Sequence, residues 1–139
     1  MLNASFKENI IFGRAFESDK YQEILEACAL QQDIERLPDK DESEIGERGT
    51  NISGGQKQRI GIARAVYSDA DLFIFDDPFS AVDADVAEFL FERVIGKTGV
   101  LKTKTRILIT HSLNFLQLCD RIVYISEGKI QNQGCNLKI

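Results

Sequence analysis

The sequence predicts an α/β fold, in which a parallel sheet with helices between its strands follows a region of helices alone. Three observations support this prediction. Helical and strand-like patterns alternate after residue 53, as they do in strand–helix–strand units. Leu72–Phe75 is a continuous apolar run, typical of a strand buried on both faces, and Arg106–Thr110 is a second such strand. Residues 1–52 show only helical patterns, which indicates a separate helical subdomain.

The first 50 residues contain three predicted helical segments. A capping box at residues 5–8 predicts a short helical turn. A longer helix follows Ser18, where apolar side chains recur at spacings of three and four residues. A third segment, at about residues 33–37, stops before a proline, and residues 38–50 form a charged loop.

The remaining elements follow the same two periodicities. We expect helices at residues 53–67 and 84–95 and a short helix capped by Ser112 that ends at Cys119. Residues 121–126 form a third strand, which we expect in the same parallel sheet, joined by right-handed crossovers. A tight turn then leads into a final strand-like segment.

Composition restricts the class of protein. Of the 139 residues, 43% are apolar and 28% are charged, as in a soluble globular domain. A membrane helix needs about 20 consecutive apolar residues, and the apolar runs here are far shorter. Residues 1–50 hold twelve acidic against six basic side chains, which argues against a nucleic-acid partner. The three cysteines lack metal-ligand spacing and indicate reduced thiols.

The turn Ser53-Gly54-Gly55-Gln56 is a candidate phosphate site. Its serine and glutamine have the spacing of a capping box, and its glycines let another group approach the backbone closely. The N-terminus of the helix that follows presents N–H groups and a partial positive charge, which favour anions. The tetrad alone favours an ordinary helix cap, so the assignment as a phosphate site depends on the other motifs.

Polar side chains also follow two predicted strands. Asp76 and Asp77 end the first strand and His111 follows the second, at the sheet edge where parallel sheets bind ligands. A magnesium–phosphate site would explain two adjacent carboxylates: Asp76 would hold Mg²⁺, and Asp77 would orient or deprotonate a water. His111 would donate a hydrogen bond to a phosphate oxygen. The alternatives are solvent-exposed acids and a structural histidine. Asp83 precedes a predicted helix, and taken alone it is better explained as the N-cap of that helix.

Four motifs in this order resemble the nucleotide-binding domain of ABC transporters. They correspond to the signature loop, the Walker B strand, the D-loop and the H-loop of that family: Ser53-Gly54-Gly55-Gln56, Asp76-Asp77-Pro78, Ser80-Ala81-Val82-Asp83 and Thr110-His111-Ser112. The segments Glu44-Ile45-Gly46-Glu47-Arg48-Gly49 and Gln56-Lys57-Gln58-Arg59 are similar to the multidrug-resistance-associated (C) subfamily. The resemblance implies a partial P-loop NTPase (RecA-like) sheet, with residues 1–52 as helical subdomain, 53–70 as signature helix and 71–139 as the Walker B to H-loop part.

The resemblance also implies a function. Two such domains close head to tail around ATP and Mg²⁺, at the cytoplasmic face of a membrane, and drive export of organic anions or xenobiotics through transmembrane domains. Ser53, Gly54, Gly55 and Gln56 would bind the γ-phosphate of ATP held by the partner domain. Asp76, Asp77 and His111 would serve the domain's own ATP. Asp83 would bridge the two sites.

The sequence departs from the family in two ways. No phosphate-cradling G-x-x-x-x-G-K-[ST] loop occurs: Gly96-Lys97-Thr98 follows a predicted helix, and Phe91 stands where the first glycine belongs. We therefore expect the C-terminal portion of a domain, inactive alone, whose sheet has an open apolar edge that favours aggregation. Asp77 stands where the family usually has glutamate, which resembles the first of the two domains in the subfamily, whose site hydrolyses ATP poorly.

Two other functional classes are compatible with parts of this pattern. A non-catalytic fragment with a signature loop would dimerise with another nucleotide-binding domain and complete its ATP site. A chromosome-maintenance or DNA-repair ATPase would share the signature helix, but such proteins carry long heptad coiled coils, and the sequence shows none.

Overall fold

The computed structural model describes residues 1–46 and 50–135. Glu47, Arg48 and Gly49, the end of the subfamily-like segment, lie outside the described residues, as do residues 136–139. The chain divides into two compact units, residues 1–109 and 110–139.

The first unit combines helices with two small sheets. Its described α-helices are α1 (Phe6–Ile11), α2 (Ser18–Ala27), α3 (Gln31–Glu35), α4 (Gly54–Tyr67) and α5 (Ala84–Leu90). Its strands are β1 (Ala4–Ser5) and β2 (Glu44–Ile45), which pair antiparallel, and β3 (Leu72–Asp76) and β4 (Thr105–Ile109), which pair parallel. Short 3₁₀ and π-helical turns occupy Lys40–Glu42 and Phe91–Ile95. The glycine of the rejected phosphate-loop candidate, Gly96, follows the π-helical turn and not a strand.

Both predicted capping boxes are confirmed. At α1 the Glu8 N–H donates to Ser5 Oγ over 3.1 Å, and the Ser5 N–H donates to the Glu8 carboxylate over 2.9 Å. At α4 the same reciprocal pair joins Ser53 and Gln56. Local sequence determines these helix starts because both partners lie within one turn.

Helix α4 runs through the core of the first unit. Ile60 and Ala63 are fully buried on it. Near its C-terminus Arg64 donates to the backbone oxygen of Asn9 (2.6 Å) and to its side-chain oxygen (2.9 Å). One turn on, the Tyr67 hydroxyl donates to the Ala15 carbonyl over 2.7 Å. These contacts join α4 to α1 and to the segment before α2, so α4 holds these helices together.

The expectation that the parallel strands are buried on both faces is wrong. Burial alternates along β3: Phe73 and Phe75 are 4% and 5% exposed, whereas Ile74 is 63% exposed. On β4, Ile107 and Ile109 are also exposed. Apolar composition on both faces shows that each face tolerates burial, but only tertiary packing decides which face is covered. The described sheet therefore has an exposed apolar face. The sequence predicted an open apolar edge, which is a different feature of a sheet.

The second unit corrects two further expectations. Residues 113–118, expected as an α-helix capped by Ser112, form a 3₁₀-helix without a hydrogen bond from that side chain. Strand β5 (Ile122–Ser126), expected in the parallel sheet, pairs antiparallel with β6 (Lys129–Gly134). The turn between them has two consecutive positive φ angles, 52° at Glu127 and 71° at Gly128. Positive φ angles at both residues of the turn match the twist of a two-residue hairpin. The predicted tight turn is therefore confirmed, and it brings β6 alongside β5.

Within residues 1–46 and 50–135, none of the helices has the length and apolar character needed to cross a bilayer.

Burial makes the thiol of Cys28 less reactive than that of Cys135. Cys28, at the end of α2, is fully buried, and burial raises the pKa of its thiol to about 12. Cys135 is exposed. A shift of about three units lowers the thiolate fraction of Cys28 about a thousandfold near neutral pH, and thiolate is the reactive form.

We expect iodoacetamide at about pH 8 to label Cys135 readily in the native chain and to leave Cys28 unlabelled, because Cys28 titrates only as the pH approaches 12. Peptide mass spectrometry before and after urea unfolding measures both sites. Equal native labelling of Cys28 and Cys135 would contradict the fold described here.

Candidate functional site

The signature turn, Ser53-Gly54-Gly55-Gln56, forms the N-terminus of α4. Ser53 has extended backbone angles, φ −65° and ψ 163°, and its Oγ accepts the Gln56 N–H over 3.2 Å. The Gln56 side-chain oxygen accepts the Ser53 N–H over 2.7 Å. The turn is therefore held in one conformation, with the amides of the two glycines at the positive end of a 14-residue helix.

Asp33 of α3 holds this turn from one side. Its two carboxylate oxygens accept from the Gln56 side-chain amide (2.8 Å) and from the Arg59 guanidinium (2.6 Å). Arg59 also donates to the Ala29 carbonyl. The side chains of Asp33 and Arg59 are only 11% and 14% exposed, and a carboxylate buried to that degree needs such partners. Asp33 thus neutralises the positive charge of Arg59 beside the signature turn.

The segment after β3 carries the predicted carboxylates. Asp76 is exposed at the end of the strand, and Asp77 follows with a left-handed backbone, φ 46°. The Asp77 N–H donates to the Ile109 carbonyl of β4 over 2.8 Å. Aspartate tolerates this backbone region better than most residues, and residues held there are often found at functional sites.

Asp83 caps the next helix, as one of the two interpretations predicted. Its carboxylate accepts the Val86 N–H over 3.1 Å at the start of α5. The D-loop (Ser80-Ala81-Val82-Asp83) leads into it and lies against the signature turn. A Cβ added to Gly55 would stand 2.9 Å from the Ala81 carbonyl oxygen, so only glycine fits there without movement of the loop.

Gln58 joins α4 to the D-loop. Its side-chain nitrogen donates to Ser80 Oγ over 2.6 Å, and its side-chain oxygen accepts the Ala81 N–H over 2.9 Å. In the sequence, Gln58 stands out only as part of the subfamily-like segment Gln56-Lys57-Gln58-Arg59. No local periodicity indicates a contact between residues 22 and 23 positions apart.

The signature turn and the D-loop enclose a cavity of about 280 Å³, the signature cavity. Four of the five predicted nucleotide-binding residues line it, namely Ser53, Gly54, Gly55 and Asp83. Gln56, the fifth, is instead engaged by Ser53 and Asp33. Arg59, one turn further along α4, also lines the cavity.

A second cavity, of about 220 Å³, has Asp76 in its wall together with Gln58 of α4 and Ile74 of β3. Asp76 is the ionisable side chain among its described lining residues. Within residues 1–46 and 50–135, histidine, cysteine and carboxylate side chains nowhere gather in threes as a ready-made metal site. His111 is exposed and belongs to the second unit, so its expected place opposite Asp76 stays a prediction.

Comparison with known proteins defines the class. The family model for ABC transporters matches residues 3–80, more than half of the chain, and the chain therefore belongs to the ABC transporter family. The resemblance stated from the motifs is confirmed.

Relatives in sub-family C are the more specific finding. The chain is 52% identical over 132 residues to ATP-binding cassette sub-family C member 3 of Homo sapiens, which covers 95% of this chain and 9% of that protein. The human sub-family C member 2 is also 52% identical, with 95% and 8% covered. Multidrug resistance protein mrp-7 of Caenorhabditis elegans is 51% identical, with 95% and 9% covered. The chain spans less than a tenth of the length of these relatives.

Gly55→Ala tests the close approach of α4 to the D-loop. We expect it to lower the free energy of unfolding by about 1–3 kcal/mol, because the new methyl group meets backbone at 2.9 Å. Gly61→Ala is the matched control: nothing lies within 4 Å of its added Cβ, so the same change should stabilise α4 by about 0.5–1 kcal/mol. Urea denaturation measures both, and a loss no greater for Gly55→Ala than for Gly61→Ala would refute the contact.

Proposed function

We propose that this chain is part of the ATP-hydrolysing module of an ABC exporter. The observation that carries the proposal is the signature cavity, where Ser53, Gly54, Gly55 and Asp83 meet although Asp83 follows Gln56, the last residue of the turn, by 27 positions in the sequence. Such an arrangement suits an anionic ligand, because the N-terminus of α4 presents N–H groups and a partial positive charge to the cavity.

The signature turn would contact the γ-phosphate of ATP held mainly by a second nucleotide-binding domain. Gly54 and Gly55 have no Cβ, so a phosphate could come closer to their backbone amides than to those of residues with side chains. Asp83 lies in the same cavity wall. In a head-to-tail dimer it would bridge the two ATP sites. Its N-cap bond to Val86 is compatible with this role, since a carboxylate accepts several hydrogen bonds.

Asp76 would hold Mg²⁺ for the domain's own ATP. The residues present fit that ion, because Mg²⁺ usually binds one or two carboxylates, waters and substrate phosphates, and Asp76 is an exposed carboxylate beside a cavity. Bound Mg²⁺ would neutralise charge on the phosphate oxygens. Asp77 would orient or deprotonate the attacking water, and His111 would donate a hydrogen bond to a phosphate oxygen.

Hydrolysis by this site should be weak. Aspartate at position 77 is one carbon–carbon bond, about 1.5 Å, shorter than the glutamate usual in the family. A misplacement of about 1 Å can lower a rate on the order of 100-fold. Residues 1–139 also contain no phosphate-cradling loop. One of the relatives is named a multidrug resistance protein, so organic anions or xenobiotics are the proposed solutes. Transmembrane domains would move them, and this module would work at the cytoplasmic face of the membrane.

A second candidate function is a non-catalytic fragment that completes another domain's ATP site. The signature cavity favours it, because this cavity would act on ATP held by another domain and needs no phosphate-cradling loop in the same chain. Catalytic turnover separates this candidate from the first.

We expect the purified chain alone to hydrolyse ATP no faster than background, since the element that grips the triphosphate is not among its residues. Release of inorganic phosphate with Mg·ATP measures this. Turnover that Asp76→Asn abolishes would contradict inactivity and favour the enzyme over the completing fragment.

Gly54→Asp tests the phosphate role of the signature turn. A Cβ at Gly54 meets only the Ala81 methyl group, at 3.5 Å, so the fold accommodates the change. A carboxylate there would repel a phosphate within about 4 Å by about 1–4 kcal/mol, and 1.4 kcal/mol is already tenfold in affinity. We expect at least tenfold weaker Mg·ATP-dependent association with an intact sub-family C nucleotide-binding domain, measured by analytical ultracentrifugation.

Gly54→Asn is the control, because it has the same shape without the charge. Its association should stay near that of the unmodified chain, and both variants should unfold at similar temperatures. Equal association of the Asp and Asn variants would refute phosphate binding by this turn.

A further inference from the structure

We infer that Gln58 is a positioning residue, which holds the D-loop on the signature turn and so determines where Asp83 stands relative to Ser53 and Gly54. The inference rests on the proposed function, because it concerns how that nucleotide site is assembled. Gln58 lies outside the set of residues expected to touch the nucleotide, and it does not line the signature cavity itself.

The contact is made at two points. The Gln58 side-chain nitrogen donates to Ser80 Oγ, and its oxygen accepts the Ala81 N–H. One hydrogen bond fixes a distance, whereas two bonds from one planar amide to adjacent residues also fix the orientation of the loop. Because one partner is a backbone N–H, the contact acts on the path of the D-loop and not only on a side chain.

Gln58 and the signature glycines act on the same stretch of loop. Residues four apart lie on one face of a helix, so Gln58 stands one turn beyond Gly54 on the face that meets Ala81. A Cβ at Gly55 would lie 2.9 Å from the Ala81 oxygen, so the glycines permit the close approach. They supply no polar attraction of their own, and Gln58 provides it.

Gln58 also lines the cavity that contains Asp76. Gln58 therefore holds Ala81, which lines the signature cavity, and itself lines the neighbouring cavity that contains Asp76. A ligand beside Asp76 that moved Gln58 would move Ala81 with it. This gives a direct physical connection between the proposed magnesium position and the signature turn.

Gln58→Met tests the inference, because methionine has similar length and no hydrogen-bonding amide. We expect the Ala81 amide of the chain to exchange its hydrogen about two- to tenfold faster, which corresponds to the loss of one net hydrogen bond. We also expect Mg·ATP-dependent association with an intact sub-family C nucleotide-binding domain to weaken on the order of tenfold. Hydrogen-exchange NMR and analytical ultracentrifugation measure the two effects.

Two controls separate positioning from general stability. Gln58→Glu keeps oxygens that accept from the Ala81 N–H and the Ser80 hydroxyl, so it should restore both slow exchange and association. Gln31→Met makes the same change at an exposed position of α3, where the Gln31 amide donates to the Glu26 carboxylate, and it should alter neither. A melting temperature common to these variants would exclude unfolding as the cause.

The possible results decide between the two ideas. Unchanged Ala81 exchange in Gln58→Met, or faster exchange with undiminished association, overturns the positioning role. If the unmodified chain shows no Mg·ATP-dependent association, the proposed function fails, and the exchange rate of Ala81 still decides whether Gln58 holds the loop.

Discussion

The rest of the site depends on the close contact between the first turn of α4 and the backbone of Ala81. Gly55 permits this contact, since any Cβ there would stand 2.9 Å from a carbonyl oxygen. Gln58 stabilises it with two hydrogen bonds. Without the contact between α4 and Ala81, the signature turn would be an ordinary helix cap beside an unrelated loop. Asp83 would then not share a cavity wall with Ser53.

The opposite side of the same turn is held by charge. Asp33 pairs with Arg59 and accepts from Gln56, so α3 determines the side-chain conformations of two residues in the first two turns of α4. Burying this ion pair carries a desolvation cost, and its contribution to stability is therefore smaller than its short distance suggests. Its clearer effect is geometric, because the carboxylate holds the Gln56 amide and the Arg59 guanidinium at the same place, while Ser53 and Ala29 each hold one of them separately.

Helix α4 brings these contacts together because its far half is anchored in the core. Ile60 is fully buried, and Tyr67 and Arg64 reach back to the segments around α1.

The sequence did not predict the partners that surround the turn: Asp33 in a short polar helix is typical of a solvated position. Gln58 looked like one polar residue among several. Both contacts join residues more than 20 positions apart, beyond the reach of helical or strand periodicity.

The sequence by itself determined the family, the order of its motifs and both capping boxes, because these depend on residue identity or on partners within one helical turn. Tertiary structure decided which faces of β3 are covered and which strand pairs with β5. It also decided that Ser53 and Asp83 share a cavity while Gln56 turns to Asp33. Those outcomes depend on the packing of distant segments, and a pattern of apolar and polar residues records only that a residue can be buried, not which neighbour will bury it.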